Sequence, residues 1–459
     1  MCGIAGFCNF KEDFEENTDY WNFRLEKMRA VLAHRGNDAR GRFLKKHIGL
    51  SHSRLAIRDI LCGDQPMTRT HNGYEYTICY NGEIYNTDEL IPELSENGFV
   101  CSTTSDTEVI LYAYIHWGAD FVNRLNGIFA FAIWDAAKNR LLLYRDRVGV
   151  KPLFYAIRGD SLVFGSEPKA CFAHPAVKPE LDKQGLQELL AIGPAHTSGL
   201  SLFKDLFEVL PGHFMIYSRD GLHDETYWEL TSREHTESYR DTVAHTRFLV
   251  EDAIKRQMVS DVPVCTFLSG GIDSSIVTAI AANYMNTRGK TLNTFSFDFK
   301  DNDRYFKANA FQPERDLPYV NRMLEEYETA HAYLECDENS LFKALFAAVD
   351  AKDMPGMTDV DSSLLYFCSL VSRKNKVALT GECADEIFGG YPWFYRKELL
   401  ERYGFPWSSD VAPRLALLRD DVGLELDLSG YQAFRYEEAR SKAPLLYGEV
   451  GEDESRRII

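Results

Sequence analysis

The pattern of apolar residues changes near residue 240, and this change constrains the fold more than any other feature of the sequence. Before it, short alternating segments such as Gly127–Asp135 and Leu141–Arg145 predict antiparallel strands joined by hairpins. After it, short apolar strands alternate with longer helical segments, which favours a parallel sheet flanked by helices. We therefore expect an α+β half followed by an α/β half.

A polar stretch separates the two halves. It runs from Thr231 to Thr242, and we place the domain linker there. A chain of 459 residues has room for roughly two to four domains at about 100 to 200 residues each. We predict a first domain over residues 1–215 and a second over residues 235–459.

Apolar residues at helical spacing add helices to this outline. In the first half they predict one amphipathic helix around Trp21–Leu32 and another around Val109–Trp117. In the second half, predicted strands and helices alternate. The strands are Val262–Leu268, Leu292–Phe297 and Lys376–Leu379, and the helices are Ser274–Tyr284 and Asp316–Tyr327.

The charge balance excludes partners that need a basic surface. The chain has 69 acidic and 51 basic residues, a formal net charge of -18, which repels nucleic acid and anionic membranes. No apolar run approaches the ~18 residues of a membrane span. The 10 cysteines form no CxxC pair, and no signal-like segment follows Met1, so we expect reduced thiols and a cytoplasmic protein.

The first residues favour a nucleophile at the amino terminus. Removal of Met1 would leave Cys2 with both a thiol and a free α-amine, so that a nucleophile and its base share one residue. An α-amine with a pKa near ~8 can accept a proton at neutral pH. The alternative is that Cys2 is a small apolar residue that starts a strand.

Several short motifs follow one another in the first half. They are Cys2–Gly6, His34–Gly36, Ser53–Ile57, Tyr80–Asn86 and Ser105–Glu108. Together they resemble a class II glutamine amidotransferase domain. The resemblance implies an amino-terminal-nucleophile hydrolase fold of stacked antiparallel sheets with helices, in which Cys2 attacks the side-chain amide of glutamine and releases ammonia. One departure is Asn37, which stands where the family commonly has proline, and we expect an altered loop there.

The resemblance also implies the roles of individual residues. The Asn81 side chain and the Gly82 N–H form the oxyanion hole, and Asn81 and Glu83 also contact glutamine. Arg54 binds the α-carboxylate of glutamine, a task that suits a bidentate guanidinium, although an ordinary ion pair is the alternative. Asp106 binds the ammonium group of the substrate.

Two of these assignments carry local structural expectations. Asn81-Gly82 is a strong turn signal, so we expect a tight turn that aims both donors at one point. Ser105 and Glu108 have the spacing of a capping box, which would leave Asp106 free for substrate.

A second candidate site lies in Phe267–Ser275, which follows an apolar strand and opens a helix. Backbone N–H groups at such a helix start can cradle phosphate, although a glycine turn with no ligand is the alternative. The segment lacks the Walker A pattern, and its Ser-Gly-Gly-Ile-Asp-Ser run resembles the PP-loop of ATP pyrophosphatases. Asp273 beside a phosphate would need a cation, so it is a candidate Mg²⁺ ligand.

The segment Thr380–Tyr391 resembles the Gly-Glu-Gly-Ser/Ala-Asp-Glu motif of asparagine synthetases, with Cys383 in place of the usual glycine. The resemblance implies that Glu382 deprotonates the incoming ammonia or its adduct and that Asp385 binds Mg²⁺ and pyrophosphate. A solvated helix start, where acidic residues are favoured, is the alternative.

The same resemblance implies an ATP site with Mg²⁺ as cofactor. Its residues are Leu268, Ser269, Gly270, Gly271, Asp273, Ser274, Phe297, Thr380 and Gly381, and the metal ligands are Asp273 and Asp385.

Taken together, the two halves resemble a glutamine-hydrolysing asparagine synthetase, a ligase that forms a C–N bond. The substrates implied are glutamine, aspartate and ATP, with no nucleic acid or membrane partner, and a homodimer is left open. Related synthetases without ammonia chemistry lack a terminal cysteine, and amidophosphoribosyltransferases lack the second loop. Two alternatives stay open: a different acceptor carboxylate, or a glutaminase-only fragment. Because the family continues beyond Ile459, we expect a shortened second domain and weak asparagine synthesis.

Overall fold

The computed structural model describes residues 1–308, 314–400, 402–408 and 410–442. Contacts divide the chain into two units. The first comprises Met1–Thr231 and Ala412–Leu428, and the second comprises Ser232–Val411 and the residues from Ser429 onward. The predicted domain limits of 1–215 and 235–459 stay a prediction.

The strands follow one another along the chain with these bounds: β1 Gly3–Asn9, β2 Ala39–Lys45, β3 Ile48–Arg54, β4 Met67–His71, β5 Tyr74–Ile84, β6 Gly127–Asp135, β7 Arg140–Arg145, β8 Phe154–Arg158, β9 Ser161–Gly165, β10 Phe207–Glu208, β11 His213–Ser218, β12 Gly221–Thr226, β13 Val264–Phe267, β14 Leu292–Phe299, β15 Thr329–Cys336 and β16 Val377–Leu379.

The α-helices have these bounds: α1 Thr18–Ala30, α2 Thr87–Glu96, α3 Asp106–Trp117, α4 Pro168–Phe172, α5 Lys183–Gln187, α6 Tyr239–Arg256, α7 Ile272–Asn286, α8 Asn302–Tyr305, α9 Leu317–Glu326, α10 Glu338–Lys352, α11 Thr358–Val371, α12 Ala384–Phe388, α13 Lys397–Leu400, α14 Ala412–Leu415, α15 Asp420–Leu426 and α16 Leu428–Lys442. Short 3₁₀ turns cover Phe14–Asn17, Ala33–Arg35, Ala119–Arg124 and Pro392–Phe394, and a π-helical turn covers Glu188–Ile192.

The first unit contains two antiparallel six-stranded sheets. Sheet A has the strand order β10-β8-β9-β1-β3-β2, and sheet B has the order β12-β11-β7-β6-β5-β4. Apolar residues of both sheets share one buried cluster, so the sheets pack face to face. A cross-sheet hydrogen bond from His52 Nε2 to the Tyr80 carbonyl oxygen (3.0 Å) joins β3 to β5.

Alternation along the strands places helices on the outer faces of this sandwich. In β1, Ile4 and Cys8 join the cluster between the sheets, whereas Ala5 and Phe7 join a cluster with residues of α1 and α4. On the other side, α2 and α3 pack on sheet B. The predicted α+β half with stacked antiparallel sheets is therefore confirmed.

The second unit contains, within its described residues, a parallel four-stranded sheet with the order β15-β14-β13-β16. Neighbouring residues of β13 point to opposite faces. Val264 packs with Ala281 of α7, and Cys265 packs with Phe367 of α11. Helices cover both faces, as the alternation of strands and helices predicts.

The sequence pattern missed β15 at the edge of this sheet. Its residues are half-buried or exposed except for Cys336, so the strand lacks the continuous apolar run that marks β13. The predicted linker was also too long, because α6 begins at Tyr239. Ser238 caps α6 by accepting a hydrogen bond from the Asp241 N–H (3.2 Å).

Residues Ala412–Leu428 return to the first unit after the second sheet is complete. Arg414 donates hydrogen bonds to the carbonyl oxygens of Leu190 (3.0 Å) and Gly193 (2.7 Å). Gln187 Nε2 donates to the Leu426 carbonyl oxygen (2.6 Å), and Leu426 is buried. The first unit is thus built from two separate stretches of sequence.

No helix in the described ranges is both long and apolar enough to cross a membrane. All of the cysteines are free thiols.

Candidate active sites

Cys2 precedes β1 in the first unit. Its sulfur accepts a hydrogen bond from the Leu55 N–H (3.4 Å), and its S–H faces the carbonyl oxygen of the same residue (3.6 Å). Because Gly3 pairs with Ser53, the start of β1 meets the end of β3. Burial raises the pKa of the Cys2 thiol, so a base is needed to form the nucleophilic thiolate.

The surroundings of the amino terminus favour a neutral amine. Met1 is 51% exposed as a residue, yet burial of its α-amino group lowers the pKa of that group to about 5. The charges of Arg35 and Lys151 also lower this pKa, whereas Cys2 and Glu83 raise it. The α-amine of Met1 is therefore neutral at pH 7 and can accept a proton.

Arg35, within the His34–Gly36 motif, holds the backbone of Cys2. Its Nε donates to the Cys2 carbonyl oxygen (2.9 Å), and its Nη1 donates to the Glu167 carboxylate (2.7 Å). His34 Nε2 lies 3.0 Å from the same carboxylate oxygen. The role of Arg35 in holding the Cys2 backbone was not predicted from the sequence. The signal that could have indicated it is the position of Arg35 within the His34–Gly36 motif.

One edge of β5 is open beyond Ile78, where its pairing with β4 ends. The Tyr85 N–H donates to the Asn126 carbonyl oxygen (2.7 Å), and the Ala136 N–H donates to the Glu75 carbonyl oxygen (3.2 Å). Because hydrogen bonds alternate along an antiparallel strand, the odd-numbered residues of β5 are the ones that bond to β6 and the segments that flank it. The even-numbered residues therefore turn their N–H groups towards the open edge.

Side chains accept hydrogen bonds from the open-edge N–H groups on both sides of Gly82. The Tyr80 N–H donates to Gln65 Oε1 (2.6 Å), and the Ile84 N–H donates to Asp106 Oδ2 (3.0 Å). The N–H of Gly82 points to the same edge between them. It is therefore a backbone donor that β6 does not use.

Asn81 supplies a second donor beside Gly82. Asn81 is buried, and its Nδ2 has no hydrogen-bond partner in the part of the chain that the structure describes. Buried polar groups are nearly always paired, so this amide is a donor that is available to a ligand. The predicted turn is wrong, because both residues lie inside β5 and pair with β6. The glycine is still required: a Cβ on Gly82 would lie 2.2 Å from the Ile128 carbonyl oxygen.

Arg54 lies at the end of β3 and holds the loop that follows it. Its Nη1 donates to the Asp64 carboxylate (2.9 Å) and to the Ile60 carbonyl oxygen (3.1 Å), and its Nη2 donates to the carbonyl oxygens of Arg58 (3.3 Å) and Asp59. The Asp64 side chain is 73% exposed. A carboxylate thus already occupies one edge of the guanidinium.

Asp106 is buried next to β5. Its Oδ2 accepts hydrogen bonds from the Tyr80 hydroxyl (2.8 Å) and from the Ile84 N–H (3.0 Å). Burial raises the pKa of this carboxyl group. Asp106 is therefore engaged with β5, and the expectation of a free carboxylate is wrong.

Ser105 caps α3, but the predicted capping box does not form. Ser105 Oγ accepts from the Thr107 N–H (3.3 Å). The Glu108 carboxylate accepts instead from the N–H groups of Ser102 (2.9 Å) and Thr103 (2.7 Å). Glu108 therefore folds the preceding loop back onto the helix.

The structure brings most of the predicted glutamine-site residues together. The charges of Glu83 and Arg54 act on the Cys2 thiol in opposite directions, so both lie within electrostatic reach of it. Asp106 is bound to β5 two residues beyond Gly82.

The second candidate site begins where β13 turns into α7. Ser274 Oγ accepts from the Ser269 N–H (3.2 Å), which closes the glycine loop. Gly270 has a φ of 83°, and a Cβ there would lie 2.7 Å from the Cβ of Tyr319. The loop therefore needs glycine both for its backbone angle and for its contact with α9.

The first turn of α7 is available to an anion. Gly271 is the N-cap residue, and among the described residues no side chain caps this end. Free N–H groups and the helix dipole favour negative charge here. This is the environment that a phosphate needs.

Asp273 and Asp385 come from different motifs and lie within electrostatic reach of one another. A Cβ on Gly381 would lie 2.7 Å from the Cβ of Asp273, so only glycine lets the two motifs approach this closely. Burial raises the pKa of Asp385, and the charge of Asp273 raises it further. Two repelling carboxylates beside an anion loop favour a shared cation.

This pair fits Mg²⁺ held jointly with a substrate. Within the described residues no group of three or more His, Cys, Asp or Glu side chains could hold a metal alone. Mg²⁺ commonly takes one or two carboxylates and completes its shell with phosphate oxygens and water. Asp273 and Asp385 are such a partial set.

Six of the nine predicted nucleotide residues line two cavities of the second unit, and Gly270, Gly271 and Ser274 line neither. One, of about 360 Å³, has Leu268, Ser269 and Phe297 in its wall. Rings of Phe297 and Phe367 lie 5.1 Å apart there, which makes an apolar lining suited to a flat base. The other, of about 1520 Å³, contains Asp273 and the segment from Thr380 to Asp385 except Cys383.

Glu382 is exposed at the edge of the larger cavity. Its N–H donates to Thr380 Oγ1 (3.4 Å), which bends the chain before α12. The hydrogen bond to Thr380 uses the backbone of Glu382 and not its carboxylate. The exposed carboxylate is therefore available to a substrate in the cavity.

Cys383 has a left-handed backbone with a φ of 70°. A side chain at such an angle is strained, so glycine would fit this position better than cysteine.

We expect that Cys383→Gly raises the free energy of unfolding by about 1 kcal/mol, because it relieves this strain. Thermal unfolding of the purified chain measures the shift. Cys383→Val is the contrasting variant and should lower stability, since a β-branched residue tolerates a positive φ poorly. Equal stability of the glycine and valine variants would contradict the argument.

Comparisons with known proteins identify both halves. Residues 1–228 match the family described as glutamine amidotransferase domain, and residues 245–457 match the family described as asparagine synthase. The chain is 47% identical, over all of its own length and 74% of the relative, to asparagine synthetase [glutamine-hydrolyzing] 3 of Bacillus subtilis. It is 33% identical to asparagine synthetase [glutamine-hydrolyzing] 1 of the same species, over 87% of this chain and 60% of that relative.

Proposed function

Because the chain belongs to the family of glutamine-hydrolysing asparagine synthetases, we propose that it makes asparagine from aspartate with ammonia taken from glutamine and with ATP as the energy source. The observation that carries the proposal is that one chain contains two different candidate sites. One offers a thiol beside two unused oxyanion donors, and the other offers an anion loop beside paired carboxylates.

In the first reaction, we propose that the Cys2 α-amine, freed by removal of Met1, takes the thiol proton. The sulfur attacks the glutamine amide carbon, and the Asn81 amide and the Gly82 N–H receive the oxyanion. The ammonium form of the amine then protonates the leaving nitrogen, and ammonia departs. Water hydrolyses the thioester to give glutamate and restores the thiol.

Glutamine itself is held by groups around this centre. We propose that its α-carboxylate replaces that of Asp64 on Arg54, because an exposed ion pair is weak and is easily exchanged. Its ammonium group is bound by Glu83 and by the Asp106 carboxylate, which keeps its hydrogen bonds to Tyr80 and Ile84. Arg54 would then exchange one carboxylate for another, while its bonds to the loop carbonyls persist.

We expect that Asn81→Ala lowers kcat for glutamine hydrolysis about 10²-fold with little change in KM, because one oxyanion donor is lost. Steady-state glutaminase assays measure both constants. Asn97→Ala, at an exposed amide after α2, is the matched control and should leave both constants unchanged. A rise in KM with an unchanged kcat would assign Asn81 to substrate binding alone.

In the second reaction, the aspartate carboxylate attacks the α-phosphate of ATP to form aspartyl-adenylate and pyrophosphate. The α7 amino end and the Ser269–Ser274 loop would hold the phosphates, and the aromatic cavity would take the base. Asp273 and Asp385 would hold Mg²⁺, which supplies neutralisation of phosphate charge when bound. Glu382 would accept a proton as ammonia displaces AMP and forms asparagine.

One assay tests this proposal. The purified chain is given ATP, Mg²⁺, glutamine and either aspartate or glutamate as acceptor, and pyrophosphate, AMP and the amide product are measured. Pyrophosphate release that requires aspartate, with asparagine as product, supports the assignment. Release with the other acid only would identify a different acceptor, and glutamate production without pyrophosphate would identify a glutaminase.

We also propose a cytoplasmic location and no nucleic-acid partner. The substrates named above are cytoplasmic metabolites, the cysteines are free thiols, and the net charge of -18 repels polyanions.

A further inference from the structure

Lys151 is a buried cation next to the amino terminus. The residue is only 9% exposed, and its Nζ lies 3.3 Å from Met1 Sδ. Among the described residues no carboxylate lies within ion-pair distance of this Nζ. Burying an ammonium without a counterion costs free energy of folding. The rest of the fold must therefore offset that cost.

The loop before Lys151 fixes its position. The Asp146 carboxylate accepts from the N–H groups of Val150 and Lys151, both at 2.9 Å. Arg145 Nε donates to the Lys151 carbonyl oxygen (3.1 Å), and Arg145 is itself paired with Glu208 (2.9 Å). Both backbone polar groups of Lys151 are thus held by buried charged groups, which fixes the point from which its side chain extends to the amino terminus.

The charged groups that face Lys151 all belong to this centre. They are the terminal amine, the Cys2 thiol, Arg35, Glu83 and Asp146. Burial lowers the pKa of Lys151, and Arg35 lowers it further. Arg35 is occupied by Glu167 and by the Cys2 carbonyl oxygen, whereas the ammonium of Lys151 has, among the described residues, only the Met1 sulfur as a hydrogen-bond partner. When Met1 is removed, that partner is lost, while Lys151 stays within electrostatic reach of Cys2.

We propose that Lys151 is a positioning residue of the glutaminase reaction that sets the proton affinity of the Cys2 α-amine. This inference rests on the proposed function. A cation next to an amine disfavours the protonated amine, so the base stays neutral at lower pH. The same repulsion makes the protonated amine a stronger acid, which helps it to pass its proton to the leaving nitrogen.

The test is the pH dependence of glutamine hydrolysis in the full chain, with removal of Met1 confirmed by mass spectrometry for each variant. Lys151→Met removes the charge and keeps much of the side-chain length. We expect the acid limb of kcat/KM to move to higher pH by about one unit, which is about a tenfold loss on that limb. Lys151→Arg keeps the charge and should leave the limb near its original position.

Two further measurements separate the outcomes. Lys138→Met, on the exposed turn between β6 and β7, is the matched control and should not move the limb. Asparagine synthesis from ammonium salts should be unchanged in every variant. An unmoved limb in Lys151→Met, or equal shifts in Lys151→Met and Lys151→Arg, would overturn the inference. If the unaltered chain hydrolyses no glutamine, the proposed function fails instead.

Discussion

Replacing Cys2 by alanine is expected to lower glutamine-dependent asparagine synthesis by at least about 10⁴-fold, because the nucleophile is removed and no other group can form the thioester. Synthesis from added ammonium salt should continue, since that reaction needs only the second site. Parallel assays with glutamine and with ammonium chloride measure the separation.

The control for this prediction is Cys62→Ala. Cys62 is an exposed free thiol in the loop that Arg54 holds, so its loss tests whether any thiol in the region is required. It should keep both activities. Loss of both activities in Cys2→Ala would show that the two reactions are not separable in this chain.

The converse change at the second site has the second-largest expected effect. Asp385→Asn should lower ATP-dependent pyrophosphate release about 10³-fold, because the amide cannot replace a carboxylate beside Mg²⁺ and phosphate. Glutamine hydrolysis should persist. Pyrophosphate and glutamate measured in the same reaction report the two sites together.

Glu386→Gln is the matched control, since it removes a charge one residue away on α12. Glu386 accepts a hydrogen bond from the Tyr391 hydroxyl (3.0 Å), which glutamine can also accept. Pyrophosphate release should be little changed. An equal loss in Asp385→Asn and Glu386→Gln would indicate that general negative charge, and not a specific ligand position, is needed.

Local patterns predict the elements of the fold well where burial is strong. The strand Gly127–Asp135 has the bounds that its sequence predicts, because the residues from Phe129 to Trp134 are all apolar and buried, alternately on the two faces of sheet B. The edge strand Thr329–Cys336 was missed, because a strand with one neighbour buries less apolar surface. The exception is β16 at the opposite edge, which is only half-buried but was predicted from its short apolar run.

The candidate sites were less predictable than the fold, because their geometry comes from residues distant in sequence. The Asn81-Gly82 pair is a turn by local preference, yet β6 pairs with it and extends the strand. Asp106 looked free because Ser105 caps the helix, but the open edge of β5 requires an acceptor. Lys151 has no sequence signal at all, since its neighbours at the amino terminus lie 150 positions away.

The return of residues 412–428 to the first unit has a consequence for synthesis of the chain on the ribosome. Domains generally fold as they emerge, from the amino terminus onward. Here the carbonyl groups of Leu190 and Gly193 lack their hydrogen-bond donor Arg414 until the second sheet has been translated. The first unit therefore cannot complete its fold until residues 412–428 have been translated. Its amino-terminal part is made first, but its folding ends late.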